Sequence, residues 1–221
     1  MTSPRCTRPW IAVLLMLAAV RIGGPQSPPP SKKLTFDQDP VGSPPAGFAF
    51  ERTGEGPEGQ WIVRADPASP KNHVLVQESR DRTDYRYPLA IANEREHRDV
   101  MLSVRAKPIS GERDQAFGLV WRYKDPRNYY LTRCNANEDN CRIYRIVKGT
   151  RQLFQDKSAP VAKNTWHRLK LEATGNHFLV WFDGTKVFDA TDDAFKDAGK
   201  VGLWTKADSV IQFDDFTIEG R

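Results

Sequence analysis

Two cysteines, Cys134 and Cys141, constrain this sequence more than any other feature. They flank the polar segment 135–140, and each belongs to a run rich in aromatic and β-branched residues, 129–134 and 141–147. If the polar segment closes a hairpin, the cysteines lie directly opposite each other at a spacing that a disulfide accepts. We therefore predict an antiparallel hairpin closed by a Cys134–Cys141 disulfide, worth about 2–3 kcal/mol on the chain-entropy model. Metal binding by this pair is the weaker alternative, because no histidine or second cysteine pair lies nearby in the sequence.

Strand signals continue on both sides of this hairpin. The run 117–123 ends at the turn signal Lys124-Asp125-Pro126-Arg127, and the run 166–173 alternates between apolar and charged side chains. Asp183-Gly184 is a strong hairpin signal. At least ten such runs occur at short, even spacing. The pattern predicts an all-β protein, an antiparallel two-sheet jelly-roll sandwich with little helix.

The first residues have the pattern of an export signal. Two arginines precede the apolar run 11–20, which is too short to span a bilayer, and small residues follow it. We predict a signal peptide over 1–24, a Pro-rich linker over 25–33 and a single sandwich domain over 34–221. A retained anchor is the alternative. The expected location is periplasmic or extracellular, without stable membrane insertion after cleavage.

The net charge gives little support to nucleic-acid binding. The whole chain has 33 Lys and Arg against 28 Asp and Glu, a net charge of +5. The predicted signal peptide contains three of the arginines and no acid, so its removal leaves +2. Cys6 leaves with it, and the remaining cysteines form an even pair suited to an oxidising compartment. We expect no nucleic-acid partner.

Several segments together resemble a known family. They are FGLVWRY, NYY, NANEDNCRIY, WHRLKLEATG, FDGTKVF and GKVGLWTKADSVIQFDDF. In this order they resemble the concanavalin-A-like, laminin-G-like jelly rolls of secreted bacterial proteins, in particular the 3-keto-disaccharide hydrolase group, which is also called "family 16 glycoside hydrolase"-like. The resemblance covers about Leu34 to Arg221. It implies two curved antiparallel sheets, with any carbohydrate site on or beside the concave face.

The acidic residues do not form a recognisable catalytic pair. A retaining glycosidase needs two carboxyl groups about 5–5.5 Å apart. The hydrolytic motif Glu-x-Asp-x-x-Glu is absent, and neighbouring acids such as Asp214 and Asp215 point to opposite faces of a strand. Glu94 and Glu96 have the required spacing but lie in a charged connection. We therefore assign no catalytic residue, and hydrolysis of glycosides or 3-keto-disaccharides stays an alternative implied by the resemblance.

Two polar segments can be explained as solvated loops without a metal or ligand site. The hairpin tip offers clustered oxygens, which makes a calcium ion chemically possible, although a solvated tip explains the same residues. These oxygens belong to Asn135, Asn137, Glu138, Asp139 and Asn140. The segment 80–86 (RDRTDYR) is interpreted as a solvated loop. We therefore predict no cofactor.

A binding face follows from strand alternation. If Leu203 faces the core, then Trp204 and Lys206 lie on the sheet's other face, and the same argument places Arg122 outward. The cysteine register pairs Tyr130 with Arg145, and Asp208 either orients Lys206 or caps its turn. The predicted ligand-binding residues are Arg122, Tyr130, Arg145, Trp204, Lys206 and Asp208. Aromatic rings beside cationic side chains suit sugars.

Three functions are compatible with these residues. The first is an exported carbohydrate-binding or interaction module, whose partner would be a carbohydrate or glycoconjugate. The second is the hydrolase named above. The third is a structural envelope domain, in which Trp204 belongs to the core and the cations of Arg122 and Lys206 are solvated. The sequence does not predict an oligomeric state.

Overall fold

The computed structural model describes Met1 and residues 31–221. In it the chain forms a succession of β-strands. Within these residues the strands are β1 (Ser31–Leu34), β2 (Phe48–Gly54), β3 (Trp61–Asp66), β4 (Ser69–Gln77), β5 (Arg86–Ala92), β6 (Val100–Ser110), β7 (Ala116–Asp125), β8 (Asn128–Asn135), β9 (Asn140–Val147), β10 (Thr150–Ser158), β11 (His167–Thr174), β12 (His177–Phe182), β13 (Thr185–Thr191), β14 (Lys200–Thr205) and β15 (Val210–Gly220). No helix in the described part of the chain is long and apolar enough to cross a membrane.

The strands form two antiparallel sheets. The first sheet has the order β13-β12-β11-β6-β15-β4-β3, with β1 also paired to β15. The second sheet has the order β10-β9-β8-β7-β14-β5-β2. Strands distant in sequence become neighbours in both sheets, as a jelly-roll sandwich requires. The predicted all-β sandwich is confirmed.

The central hairpin has the predicted register. Cys134 pairs with Cys141, and Tyr130 pairs with Arg145. The disulfide is formed, with the two Cα atoms 4.1 Å apart, and both cysteines are fully buried. The hairpin is thus a covalently closed part of the second sheet.

The hydrophobic core lies between the two sheets and is rich in aromatic rings. The Phe178 ring on β12 lies 5.2 Å from the Trp121 ring on β7 and 4.9 Å from the Tyr130 ring on β8. Nearer the other edge, Trp61 on β3 lies 5.8 Å from Phe213 on β15. Phe178 thus joins the two sheets, while Trp61 and Phe213 pack within the first sheet, and each buried side chain of this size contributes about 1.5–3 kcal/mol.

The N-terminal predictions fall mostly outside the described residues. The signal peptide over 1–24 and most of the linker over 25–33 lie there, except for Met1. The last three linker residues, 31–33, belong to β1, where Ser31 pairs with Glu219 and Leu34 with Phe216. The sheet therefore begins slightly earlier than the sequence predicted.

Candidate functional site

The second sheet carries a second apolar cluster on the face that points away from the core. Its members alternate along the strands with the core residues, and all are buried. We call them the outer-face cluster: Tyr87, Leu89, Ile91, Ala116, Val120, Tyr123, Tyr129, Leu131, Tyr144, Ile146 and Trp204. No other sheet of the described residues covers this face. Its side chains can therefore be buried only if the sheet curves around them or if other side chains cover them.

Arg151 shows that this face is concave. Its guanidinium carbon lies 4.8 Å from the Tyr87 ring centroid and 4.6 Å from that of Tyr144. Tyr87 is on β5 and Tyr144 on β9, with three strands between them. At about 4.8 Å per strand, a flat sheet would separate these positions by about 19 Å. Since one guanidinium reaches both rings, the sheet curves, and we call its concave outer face the groove.

A buried ion pair lies beside this groove. Lys206 Nζ is 2.6 Å from Asp114 Oδ2 and 3.3 Å from Asp84 Oδ1. Burial raises the pKa of Asp114 above its usual range, although the contact with Lys206 opposes the shift. Burial acts to lower the pKa of Lys206, but the hydrogen bond and charge of Asp114 outweigh it, so the pKa is raised. Lys206 therefore stays a fixed cation near Tyr87, whose pKa burial raises against the nearby charges of Arg151 and Lys206.

The tip of the central hairpin forms a second charged group near the groove. Glu138 Oε2 lies 2.8 Å from Arg133 Nη2 and 2.9 Å from Arg142 Nη1. Burial acts to raise the pKa of Glu138, but the arginine charges and hydrogen bonds outweigh it and lower the pKa. The Arg133 guanidinium carbon is 5.9 Å from the Tyr144 ring. Charged side chains thus surround the aromatic floor of the groove.

Two of the predicted ligand-binding residues belong to this groove. Trp204 lies in the outer-face cluster, as alternation predicted, and Lys206 follows the end of β14 with its charge near Tyr87. The Trp204 ring stacks on Tyr87 with centroids 5.6 Å apart and has 0% exposure. Trp204 is therefore part of the groove's floor, while Lys206 provides charge above it.

Asp208 caps a loop rather than orienting Lys206. Its carboxylate accepts hydrogen bonds from the backbone N–H groups of Glu112 (2.8 Å), Arg113 (3.2 Å) and Asp114 (3.0 Å). These bonds lower its pKa, although burial alone would raise it. Asp114, not Asp208, is the direct partner of Lys206. Asp208 thereby fixes the loop that carries that partner.

Arg122 does not point outward as alternation predicted. β7 has a bulge at this position: Tyr123 pairs with Lys200, but Val120 pairs with Gly202, and Arg122 has a φ of 49°. The extra residue reverses the alternation. The guanidinium is buried and donates hydrogen bonds to the carbonyls of Arg98 (3.2 Å), Phe195 (2.6 Å) and Gly175. The prediction of an outward Arg122 is wrong, because the bulge turns the side chain toward these connections.

Tyr130 and Arg145 lie on the opposite face of the sheet from Trp204. Tyr130 is buried in the core between the sheets and donates a hydrogen bond to Asp192 Oδ1 at 2.6 Å. Arg145 donates to Asp192 Oδ2 at 2.5 Å. Both side chains therefore hold the connection after β13 and do not contact the groove.

The hairpin-tip residues that were considered as calcium ligands already have protein partners. Asn135 Nδ2 donates to Asp114 Oδ1 at 2.7 Å, and Asp139 Oδ1 accepts from the Val161 N–H at 2.9 Å. Glu138 is held by two arginines as described above. Within the described residues no group of three or more His, Cys, Asp or Glu side chains has an arrangement suited to a metal ion.

Sequence reasoning missed three central residues of the groove: Tyr87, Tyr144 and Arg151. Tyr144 carried a usable signal, because its position places it on the hairpin face opposite Cys141. No local pattern indicates that Tyr87 belongs to the groove, since β5 lies next to Trp204 only because β5 pairs with β14, which is far away in the sequence. Arg151 follows the turn at 148–149, and nothing local indicates that its side chain crosses the groove.

Comparison with known proteins identifies relatives of this chain. A family model described as "3-keto-alpha-glucoside-1,2-lyase-like domain" matches residues 48–219. The levanase of Bacillus subtilis (strain 168) is 31% identical over 98 residues, which cover 43% of this chain and 14% of the levanase. The aligned part is therefore a small fraction of that enzyme.

Solved structures share the sandwich. The carbohydrate-binding module CBM66 of Bacillus subtilis superposes with a TM-score of 0.61 at 22% identity, covering 79% of this chain and 98% of that one. Domain 4 of an extracellular arabinanase from Geobacillus stearothermophilus, solved in complex with arabinotriose, gives 0.53 at 15% identity, covering 85% and 91%. A Bacillus subtilis protein with a galectin-like fold gives 0.57 at 13% identity, covering 77% and 88%. At these identities the likeness shows a shared fold.

Proposed function

The chain belongs to the family of 3-keto-alpha-glucoside-1,2-lyase-like domains, and from this premise we propose that it is a carbohydrate-binding module whose ligand lies along the groove of the second sheet. Two of the similar solved structures are named as a carbohydrate-binding module and as an arabinanase domain bound to arabinotriose. Their names support the class of ligand, and the groove described above supports the place.

Arg151 is the observation that carries the proposal. Its guanidinium lies between two tyrosine rings, and its Nη1 is buried with no hydrogen-bond partner among residues 31–221. A buried donor without a partner costs about 1–3 kcal/mol, which a ligand hydroxyl would offset. Lys206 and Asp84 supply a further donor and acceptor nearby. The groove thus offers the polar groups that fix the hydroxyls of a sugar.

Tyr85 supplies the accessible apolar surface. Its side chain is 64% exposed, the largest exposure among the large apolar side chains from residue 31 onward. It directly follows Asp84, which contacts Lys206 at 3.3 Å. A sugar stacked on this ring would place its hydroxyl groups within reach of the charged side chains, because sugars present C–H groups on one face and hydroxyls at their edges.

Binding measured by titration calorimetry tests the proposal. Arabinotriose and a levan-derived oligosaccharide are suitable probes. One similar structure is an arabinanase domain solved in complex with arabinotriose, and one relative is named as a levanase. We expect Arg151→Gln and Tyr85→Ala each to weaken binding at least about tenfold, a loss of about 1.4 kcal/mol. The matched controls Arg168→Gln and Val41→Ala change an exposed arginine and an exposed apolar residue away from the groove, and should leave the affinity unchanged.

Two results would contradict the proposal. One is the absence of binding to any member of a broad glycan array. The other is turnover of a 3-keto-α-glucoside that is lost in Asp114→Asn but kept in Asp193→Asn, which would assign the family's catalytic alternative to the same groove. Asp114 is the relevant carboxyl group because it is buried beside Lys206.

Export to a periplasmic or extracellular location completes the proposal. The buried disulfide is suited to an oxidising compartment, and the apolar run at 11–20 is suited to a signal peptide. Sequencing the N-terminus of the protein after expression with its leader should give a start near residue 25. An intact Met1 on the mature protein would contradict it.

A further inference from the structure

A basic cleft lies at one end of the second sheet. It has a volume of about 770 Å³ and is formed where the end of β2 meets the β7–β8 and β9–β10 turns. Its lining includes Arg52, Thr53, Arg127, Asn128, Lys148 and Thr150. The cleft is open to solvent and large enough for a sugar residue.

The cations of this cleft are not neutralised. Arg52, Arg127 and Lys148 form no ion pair with any carboxylate of the described residues. Asp125 is the one acid in the lining, and its Oδ1 already accepts hydrogen bonds from the Arg127 N–H (2.7 Å) and the Asn128 amide (3.0 Å). The cleft therefore has an excess of positive charge.

Three other arginines of the same sheet are paired with carboxylates. Arg133 contacts Glu138 at 2.8 Å, Arg142 contacts Asp156 at 3.1 Å, and Arg145 contacts Asp192 at 2.5 Å. These three arginines are thus neutralised, whereas the cations that line the cleft are not.

Backbone hydrogen bonds hold the cleft in shape. Arg127 Nη2 donates to the Lys148 carbonyl at 3.1 Å, and the Lys148 N–H donates to Asn128 Oδ1 at 3.1 Å. The Gly149 N–H donates to the Arg127 carbonyl at 2.8 Å. Arg52 Nε is buried and has no hydrogen-bond partner within 31–221. The two turns and the Arg127 guanidinium are therefore held in place before any ligand arrives, which reduces the entropy cost of binding one.

The cleft is adjacent to the outer-face cluster. Thr53 lines the cleft, and its Oγ1 lies 2.8 Å from the hydroxyl oxygen of Tyr129 in the outer-face cluster. Thr150 also lines the cleft, and the next residue is Arg151, which crosses the groove. A glycan that fills the groove would therefore reach the cleft with its next unit.

We propose that this cleft is a subsite for an anionic sugar unit, one that carries a carboxylate or a sulfate ester. Guanidinium groups bind such oxyanions through paired, charge-assisted hydrogen bonds, and the ammonium of Lys148 adds a point charge. The inference rests on the proposed carbohydrate-binding function and adds to it the chemical class of the ligand.

Matched probe pairs with and without the anion test the inference. The pairs are tetragalacturonate with its methyl ester, and sulfated with unsulfated arabinotriose. We expect the anionic member of at least one pair to bind about tenfold more tightly in 50 mM salt, with the preference shrinking as salt screens the charges. A larger preference in the first pair would assign a uronic acid, and in the second a sulfate ester.

A double variant localises the effect. Arg127→Gln with Lys148→Gln should abolish the preference and leave the affinity for neutral probes unchanged. The control, Lys71→Gln with Lys163→Gln, removes the same charge from exposed positions outside the cleft and should keep the preference. Equal unfolding midpoints would establish that all variants are folded.

The possible failures are distinguishable. Binding of neutral probes without a preference for either anion would overturn the anionic subsite and leave the proposed function intact. A preference that survives in the cleft variant, or is lost equally in the control, would also overturn it. If no probe of either kind binds, the subsite is contradicted, and the proposed function is contradicted as well if the broad glycan array also shows no binding.

Discussion

At the level of single residues, two buried arginines hydrogen-bond to backbone carbonyls in connecting segments that are not paired as strands. Arg86 donates hydrogen bonds to the carbonyls of Pro57 (2.7 Å), Glu58 (2.9 Å) and Ala207 (2.6 Å). Arg122 does the same at the other end of the second sheet. Each satisfies several carbonyls at once, because a guanidinium has five donors. The solvated loop predicted at 80–86 therefore ends in a fully buried residue.

The negative charge of Asp208 should stabilise the folded chain. Asp208→Asn should lower the free energy of unfolding at pH 7 by about 1–3 kcal/mol, since three backbone N–H groups lose a charged acceptor. The pKa of Asp208 is lowered from the ordinary value of 3.8, so its contribution is complete above that pH and disappears as the pH falls through the lowered pKa.

Urea unfolding of wild type and variant at pH 7, 5 and 3 measures this change. The difference between the two proteins should be constant from pH 7 to pH 5 and should decrease at pH 3. Asp197→Asn, at an exposed position, serves as the control and should have little effect at any pH. An equal difference at pH 3 and pH 7 would exclude the proposed role of the charge.

At the scale of elements, the β8–β9 hairpin serves both faces of the second sheet. One face of the hairpin places the disulfide and Tyr130 in the core, and the other places Tyr129 and Tyr144 in the outer-face cluster. Its tip carries Glu138 and the arginines that hold it. Because side chains alternate along a strand, fixing the register with one covalent bond fixes both faces together.

Removal of the disulfide tests this dependence. Cys134→Ala with Cys141→Ala should lower the free energy of unfolding by about 2–3 kcal/mol, mainly through the greater entropy of the unfolded chain. Denaturant unfolding of the variant and of reduced wild type should give similar losses. A variant as stable as oxidised wild type would contradict the expected contribution.

At the scale of the whole molecule, the two sheets share one continuous core. Phe178 on the first sheet contacts Trp121 and Tyr130 on the second, and Phe182 lies 6.5 Å from Phe117 across the same interface. The curved second sheet needs this support, since its other face carries a groove and is not covered by a third layer. We therefore expect the described chain to unfold as one unit.

Phe178→Ala tests the coupling between the sheets. It should lower the free energy of unfolding by about 3–5 kcal/mol, because it leaves a cavity between two aromatic rings. Near-UV circular dichroism and calorimetry should still report one common transition. Leu179→Ala, on the opposite face of the same strand, should cost much less. Two separate transitions would show that the sheets are independent units.

Local patterns in the sequence were enough to predict most of the strands, the all-β class and the hairpin with its disulfide. Each of these depends on contacts between residues close in the chain: alternation with a period of two, turn residues and the spacing of Cys134 and Cys141. Alternation also placed Trp204 on the correct face of β14. These signals are local, so no knowledge of distant strands was required.

The residues that form the groove could not be predicted from local patterns. Tyr87, Tyr144 and Arg151 meet because strands distant in sequence pair and because the sheet curves, and neither property is encoded in a single segment. The bulge at Arg122 could not be predicted from local patterns either, since it depends on how Gly199 and Lys200 pack against β7. A Cβ atom at Gly199 would lie 2.5 Å from the Arg122 carbonyl carbon, which is a packing constraint between segments far apart in the chain.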